Sequence, residues 1–216
     1  MNLKGAGPER FGAVSSFLYR VWGEPALAPL HLRIGAEVPI ERGSLLDIGC
    51  GPGRLDRLLA AARPELRVVG LDSSPEMLRQ AEWGPRPPNL EFRLGTIETA
   101  GSREEFDFAL SVLSFHHWEE PSNGLEAVHR ALKPGGRFWI YEPDAEAPEE
   151  EIRRDRAPFW GWFRLPIWLE RLMRRGHGFT EREIEESVRP VVEASPFRSL
   201  DVVRTGSTFR IAMTKR

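Results

Sequence analysis

Cysteine is almost absent from this chain, and the single Cys50 excludes an internal disulfide and any multi-thiolate metal centre. That economy fits a reducing compartment. Long apolar runs are missing as well, since no window approaches the ~18 consecutive apolar residues that a membrane span needs. The opening residues, MNLKGAGPERFG, lack the apolar stretch of a signal peptide. The expectation is therefore a soluble, unprocessed, cytoplasmic protein. Neither sign of charge is in excess: 30 Lys and Arg face 32 Asp and Glu, a formal net charge of -2. No global field draws such a chain to nucleic acid or to an acidic membrane, so any partner of that kind needs a local argument. Repeats and low-complexity tracts are absent too. At 216 residues the chain can bury one sizeable core, whereas two domains of ~100–150 residues each would not fit.

What is present, from Ser44 onward, is an alternation of short apolar runs with helical patterns, the signature of βαβαβ. Leu45 to Ile48 reads as a strand closed by Gly49, and Leu55, Leu58, Leu59 and Ala62 recur at helical spacing until Pro64. Val68 to Leu71 is a second run, ending in Asp72. Ser74 then offers an N-cap, with Pro75 at the first helical position and Glu76 beside the positive helix end. Strands are expected at Leu90 to Leu94, Phe106 to Leu113 and Arg137 to Tyr141, with a helix from Ser122 to Leu132 stopped by Lys133-Pro134-Gly135-Gly136. Ser199 to Thr205 and Thr208 to Thr214, separated by Gly206-Ser207, form a hairpin that makes the last strand antiparallel. Helical spacing is also present at Phe11, Val14, Phe17, Leu18 and Val21, and again from Ala26 to Val38. Thr180 and Glu183 make a capping box for a helix ending near Pro190.

The strongest chemical signal is Leu45-Leu46-Asp47-Ile48-Gly49-Cys50-Gly51-Pro52-Gly53, a strand entering a glycine loop and then a helix. Glycines there remove each Cβ that would bar a ligand from the backbone, and the helix N-terminus offers N–H donors. A dinucleotide-binding loop needs G-x-G-x-x-G, but Arg54 stands where its third glycine belongs, so an NAD-dependent dehydrogenase is disfavoured. A P-loop is excluded because no Gly-Lys-Ser/Thr comes after it. The plain alternative is a tight turn with no ligand. Asp72, about twenty residues on at a strand end, can accept both hydroxyls of a ribose, although an aspartate after a strand is, taken alone, more often a helix cap or turn former.

LLDIGCGPGRL, VVGLDSSPEML, FDFALSVLSFHHW and LKPGGRFWIYEP together resemble the class I S-adenosylmethionine-dependent methyltransferases, in particular the group containing the ubiquinone- and menaquinone-biosynthesis enzymes (methyltransferase type 11). The resemblance covers about Ser44 to Pro143. It implies an α/β, Rossmann-like three-layer sandwich with a mostly parallel seven-stranded sheet in the order 3214576, an antiparallel last strand and a helical insertion after strand 5. A single domain would then comprise an N-terminal helical cap (1–43), the cofactor-binding core (44–143), a helical lid (144–178) and the last helix with the hairpin (179–216). Gly49, Cys50, Gly51 and Gly53 would lie against the methionine part of S-adenosylmethionine, with Asp47 helping to place it. Asp72 would hold the ribose, and Ser73 and Met77 would flank the adenosine. Many relatives carry an aspartate at the position of Thr96, so Thr96 and the backbone of Ile97 must serve the adenine edge. Ser111 and Leu113, at the end of strand four, would face the methyl group.

Methyl transfer from a sulfonium is an in-line displacement, which an enzyme assists chiefly by alignment, worth ~7–11 kcal/mol. An oxygen or nitrogen acceptor must also lose a proton, and His116 or His117 is the candidate base, His116 being favoured. The competing reading makes both histidines structural, bonded to local backbone. Cys50 reads as a small packing residue and His129 as solvated. Tyr19, Trp22, Trp118, Tyr141, Trp160 and Phe163 are candidates for the acceptor pocket. Trp160, Trp162, Phe163 and Trp168 form either a lid or the core of the insertion. Arg153, Arg154, Arg156, Arg164, Arg171, Arg174 and Arg175 read first as a solvated face and second as a site for an acidic acceptor, a lipid surface or RNA. The leading expectation is methylation of a small-molecule acceptor by a monomer or homodimer, with S-adenosyl-L-methionine converted to S-adenosyl-L-homocysteine and no metal. Methylation of RNA or protein, or a cofactor-binding module without turnover, remain the alternatives.

Overall fold

The structure, a computed structural model, describes residues 24–99, 104–157, 166–197 and 199–216. Seven strands form one sheet: β1 (Gly43–Ile48), β2 (Leu66–Asp72), β3 (Leu90–Leu94), β4 (Phe106–Val112), β5 (Leu132–Pro143), β6 (Ser199–Thr205) and β7 (Thr208–Thr214). Their order is β3-β2-β1-β4-β5-β7-β6. β3, β2, β1, β4 and β5 run parallel, while β7 is antiparallel to both β5 and β6. This is the expected Rossmann-like arrangement. The order reverses at β1 and β4, so the carboxyl ends of these two strands flank the crevice in which open α/β sheets take ligands.

The period-two alternation of β1 and β2 sends neighbouring residues to opposite faces. Leu45 and Val68 pack with Leu30 and Ile34 of α1 (Ala28–Glu37) and Leu55 and Leu59 of α2 (Arg54–Ala62). Leu46 and Val69 pack on the other face with Leu125 and Val128 of α4 (Pro121–Ala131) and with Ile184, Val188 and Val192. Helices on both faces make the three layers. In β4 the parity breaks, since Phe106 belongs to one face and Phe108 to the other. The pairing with β5 shifts register between these two residues, and an irregularity there accounts for the change of face. Each such fully buried side chain contributes about 1.5–3 kcal/mol relative to exposure.

Most predicted elements lie within a residue or two of those observed, α3 (Pro75–Ala81) included, with Ser74 accepting the Met77 N–H at its N-cap. β5 is longer than Arg137 to Tyr141. It starts at Leu132, runs through the Pro-Gly-Gly stretch, and pairs with the C-terminal segment through Gly135 N–H to Lys215 O at 2.9 Å and Lys215 N–H to Gly136 O at 2.8 Å. After it come α5 (Glu149–Arg154) and α6 (Ile167–His177). The Thr180–Glu183 capping box is present and opens α7 (Glu181–Glu183). The helix does not end at Pro190, however. A π-helical stretch, Ile184–Val188, leads into α8 (Arg189–Glu193), with Pro190 in its first turn. A proline there lacks an N–H that the opening turn of a helix does not use. His129 is half-buried, edge-on to Phe197 at 5.2 Å, rather than solvated. The periodic stretch from Phe11 to Val21 lies outside the described residues.

Candidate active site

A cavity of about 1140 Å³ opens over the carboxyl ends of the strands. That exceeds the 300–1,000 Å³ usual for small-ligand sites, leaving room for two molecules side by side. Its middle is the bend after β1. Gly49 (φ 78°) and Gly51 (φ 55°) both take left-handed backbone and both line the cavity. At Gly49 a Cβ would run into the Ser114 side chain, so packing excludes one. A Cβ at Gly51 would meet nothing within 4 Å; there the missing side chain leaves open space. Beside the bend, Asp72 at the end of β2 accepts the Gly51 N–H on Oδ2 and the Ser74 N–H on Oδ1, both at 2.8 Å. A carboxylate offers about four acceptor positions, so two remain for a ligand after these bonds have fixed its orientation. Burial pushes the Asp72 carboxyl up, against the pull of those two N–H groups.

Asp47 lies beneath the bend, 3% exposed, and its Oδ1 has no hydrogen-bond partner among the described residues. Burial, together with the charges of Asp56 and Asp72, raises its carboxyl well above the usual range. Of these three carboxyl groups only that of Asp72 lines the cavity. Cys50 points away from the cavity, its Sγ close to where a Cβ on Gly70 would sit. Burial and the charges of Asp56, Asp72 and Asp47 raise its thiol well above the ordinary value, which disfavours the thiolate.

Ser73, Met77, Thr96, Ile97 and Leu113 line the cavity. Gly53 does not; it caps α2 with φ 74° and faces the Phe92 ring. Ser111 is fully buried in β4, and its Oγ has no hydrogen-bond partner among the described residues. The chain leaves β4 through Leu113, whose φ of 54° costs a side-chain-bearing residue about 1–2 kcal/mol. That kink starts the short 3₁₀ turn Phe115–His117, which brings His116, His117 and the adjoining Trp118 to the cavity wall.

His116 is 4% exposed, with Nδ1 2.6 Å from Oε2 of Glu142, a residue wholly removed from solvent at the end of β5. The other carboxylate oxygen accepts the backbone N–H of Phe115 at 2.7 Å and of His116 at 3.3 Å. Glu142 as a carboxylate therefore takes a proton-bearing Nδ1 and leaves the Nε2 lone pair as the ring's acceptor. The His117 ring is 3.9 Å from that of His116, and His177 of α6 is 5.8 Å from it. All three histidines line the cavity.

Tyr141 requires correction as a pocket residue. It is fully buried on the α1 side of the sheet, with its hydroxyl 2.8 Å from Glu37 Oε2, because alternate residues of β5 face opposite ways. Its neighbour Glu142 holds the place beside the site. Tyr19, Trp22, Trp160 and Phe163, with Phe11, Trp162 and Arg164, lie outside the described residues. Trp168 is 65% exposed and belongs to no core. Of the arginines in the insertion, Arg153 and Arg154 pair with Glu149, Glu150 and Glu151 of their own helix, and Arg171 and Arg175 are exposed, a solvated pattern. Arg156 and Arg174 differ, since both line the cavity. Sequence reasoning also left out Glu142 and His177; the i, i+3 spacing of Arg174 and His177 on one helical face was the only available signal.

Residues 46–140 match the Methyltransferase domain family. The chain is 38% identical over 119 residues to a 37.1 kDa protein of transposon Tn4556 from Streptomyces fradiae, a match covering 51% of this chain and 34% of that one. It is 30% identical over 131 residues to trans-aconitate 2-methyltransferase of Streptomyces avermitilis, covering 58% and 49% of the two chains. The chain thus spans about a third to a half of the length of these relatives. A crystal structure described as a putative S-adenosyl-L-methionine-dependent methyltransferase from Methanococcus maripaludis superposes with a TM-score of 0.69 at 20% identity, covering 96% of this chain and 94% of that one. Residues 46–140 thus match a methyltransferase domain, and the chain built around them has the fold of solved structures described as S-adenosylmethionine-dependent methyltransferases.

Proposed function

We propose that this protein transfers the methyl group of S-adenosylmethionine to a small-molecule acceptor bound in the same cavity. The observation that carries the reading is the pairing of the Gly49–Gly51 bend with the Asp72 carboxylate, which the Gly51 N–H ties to that bend at 2.8 Å. The residues fit the cofactor: open space at Gly51 admits its amino-acid part, Asp72 has acceptor positions left for a ribose, and Met77 supplies an apolar flank. The Asp72 carboxylate on the cavity wall suits a ligand that carries positive charge. When bound, S-adenosylmethionine supplies an electrophilic methyl group.

The chain's own contribution is alignment and proton removal. The glycine bend and Asp72 fix one reactant; the 3₁₀ turn with Trp118 shapes the wall met by the other. His116 Nε2 takes a proton from an O–H or N–H acceptor, and Glu142 holds the ring and balances the charge that develops on it. A small acceptor is supported by the size of the cavity and by the exposed arginines of α5, which are neutralised by glutamates one turn away instead of forming a basic face. The trans-aconitate methyltransferases among the relatives point the same way. A thermal-shift comparison tests the reading: S-adenosylmethionine and S-adenosylhomocysteine should raise the melting temperature while NAD does not. Stabilisation by NAD alone would overturn it.

A further inference from the structure

The cavity is not uniform in charge along the sheet. On the β2–β3 side it is lined by Asp72, Glu76 and Glu98, after β4 by Glu119 and Glu120, and on the β5–β7 side by Arg156, Arg174 and His177. With strands ~4.8 Å apart, these two ends are separated by three to five strand spacings. Two features make Arg174 unlike a structural arginine. Its firm bonds go to a neutral residue, Nη1 to Ser207 O at 2.7 Å and Nη2 to Ser207 Oγ at 2.8 Å, and its Nε has no hydrogen-bond partner among the described residues. The nearby carboxylates already have cations of their own: Asp155 with Arg33 at 2.9 Å, Asp144 with Arg204 at 3.1 Å, Glu170 with Arg156 at 3.6 Å. Arg174 is 6% exposed, and burial, with Arg156 alongside, lowers its pKa to about 10. Glu170, Asp155 and Asp144 act on it only through space, and no carboxylate is hydrogen-bonded to it among the described residues, so this buried guanidinium can take an anion, its fork suiting carboxylate or phosphate.

This cation is one helical turn from a histidine that approaches the base. Arg174 and His177 occupy one face of α6 a turn apart, and the His177 ring lies 5.8 Å from that of His116. We propose, resting on the methyl-transfer reading, that the acceptor carries both an anionic group, bound at Arg174 with Arg156, and a protic O–H or N–H nucleophile presented to His116. In the reaction the bond from acceptor O or N to the methyl carbon forms, and the sulfur–methyl bond breaks with its electron pair passing to sulfur. The proton of the acceptor goes to His116 Nε2. An acceptor that is only a polycarboxylate would leave the His116–Glu142 pair without a proton to remove, so this chain is distinguished from an enzyme that esterifies an ionised carboxylate.

Titration calorimetry on the protein loaded with S-adenosylhomocysteine tests the proposal, using 3-hydroxybenzoate, 3-hydroxyphenyl phosphate, the neutral 3-hydroxybenzamide and trans-aconitate. Either aromatic anion should bind at least tenfold more tightly than the amide, with the better of the two identifying carboxylate or phosphate as the recognised group, and raised salt should narrow the difference. Arg174→Gln should abolish the preference while affinity for S-adenosylhomocysteine stays within twofold; Arg156→Gln, at a less buried site, should reduce it. Methylation of a bound phenol should slow at least tenfold in His116→Ala. Equal binding of anion and amide to wild type, or no binding of any probe, overturns the anionic site. Methylation of trans-aconitate at a rate independent of His116 overturns the protic nucleophile. Failure of S-adenosylhomocysteine itself to bind would instead reject the underlying methyl-transfer reading.

Discussion

Changing Glu142 to Gln exchanges one oxygen for an amide nitrogen, and the hydrogen-bond partners on either side determine how the amide must sit. The remaining oxygen must stay on the side of the Phe115 and His116 N–H groups, at 2.7 and 3.3 Å, because a buried amide cannot donate to donors. The NH₂ then faces His116 Nδ1, which lies 2.6 Å from the present carboxylate oxygen and would have to become an acceptor. The ring proton moves to Nε2, and the nitrogen that should take the acceptor's proton already holds one. Loss of a charge-assisted hydrogen bond is worth about 1.5–3 kcal/mol, or roughly a 10- to 150-fold fall in rate. Nitrogen-15 NMR of labelled histidine reads the tautomer directly, with no acceptor needed, and single-turnover methylation reads the rate. The fold should survive, because the variant keeps its backbone bonds. Retention of the Nδ1–H tautomer together with a rate within twofold of wild type would rule out a positioning role for Glu142.

The two glycines of the bend should respond differently to alanine. Gly49→Ala should destabilise the fold by more than the ~1–2 kcal/mol of a left-handed side chain, because its Cβ also meets Ser114; Gly51→Ala should cost about that strain alone yet weaken S-adenosylhomocysteine binding, as read by denaturation and calorimetry. Asp155 ties the start of the insertion to α1 and the hairpin through Arg33 and Ser207, so Asp155→Ala should cost about 3–5 kcal/mol at neutral pH. Burial alone would raise this carboxyl, but Arg33 and Ser207 outweigh it and hold it below its ordinary value. Its contribution is therefore present above the unfolded value of ~3.9 and disappears as pH falls through the lower folded value, so wild type and variant should converge in stability under strong acid. Curves that stay parallel in urea melts at low pH would contradict this.

The parallel core was legible because each strand ends at a chemical landmark, Gly49 after β1, Asp72 in β2 and Gly95 after β3, and because its faces alternate with period two. The place of Asp72 on the cavity wall was readable for the same reason. Glu142 was not. In YEP the tyrosine looks like the pocket residue, but a one-residue error in facing exchanges the two sides of a strand, and nothing local reveals that Glu142 meets a histidine 26 residues earlier in the chain. The helix beyond Pro190 was hidden by a π-helical stretch that sequence periodicity does not report. Arg174 was one of seven arginines in the insertion, and its contact with Ser207, 33 residues away, is what separates it from the solvated ones.

The proposed methyl transfer requires that the carboxylate of Asp72 and the bend at Gly49 and Gly51 hold one nucleoside between them. Titration of S-adenosylhomocysteine into wild type and Asp72→Ala is the most direct test. Wild type should show saturable one-to-one binding, and the variant, at an unchanged fold, a loss of about 2–3 kcal/mol, roughly 30- to 150-fold. Equal affinity for both proteins would contradict it.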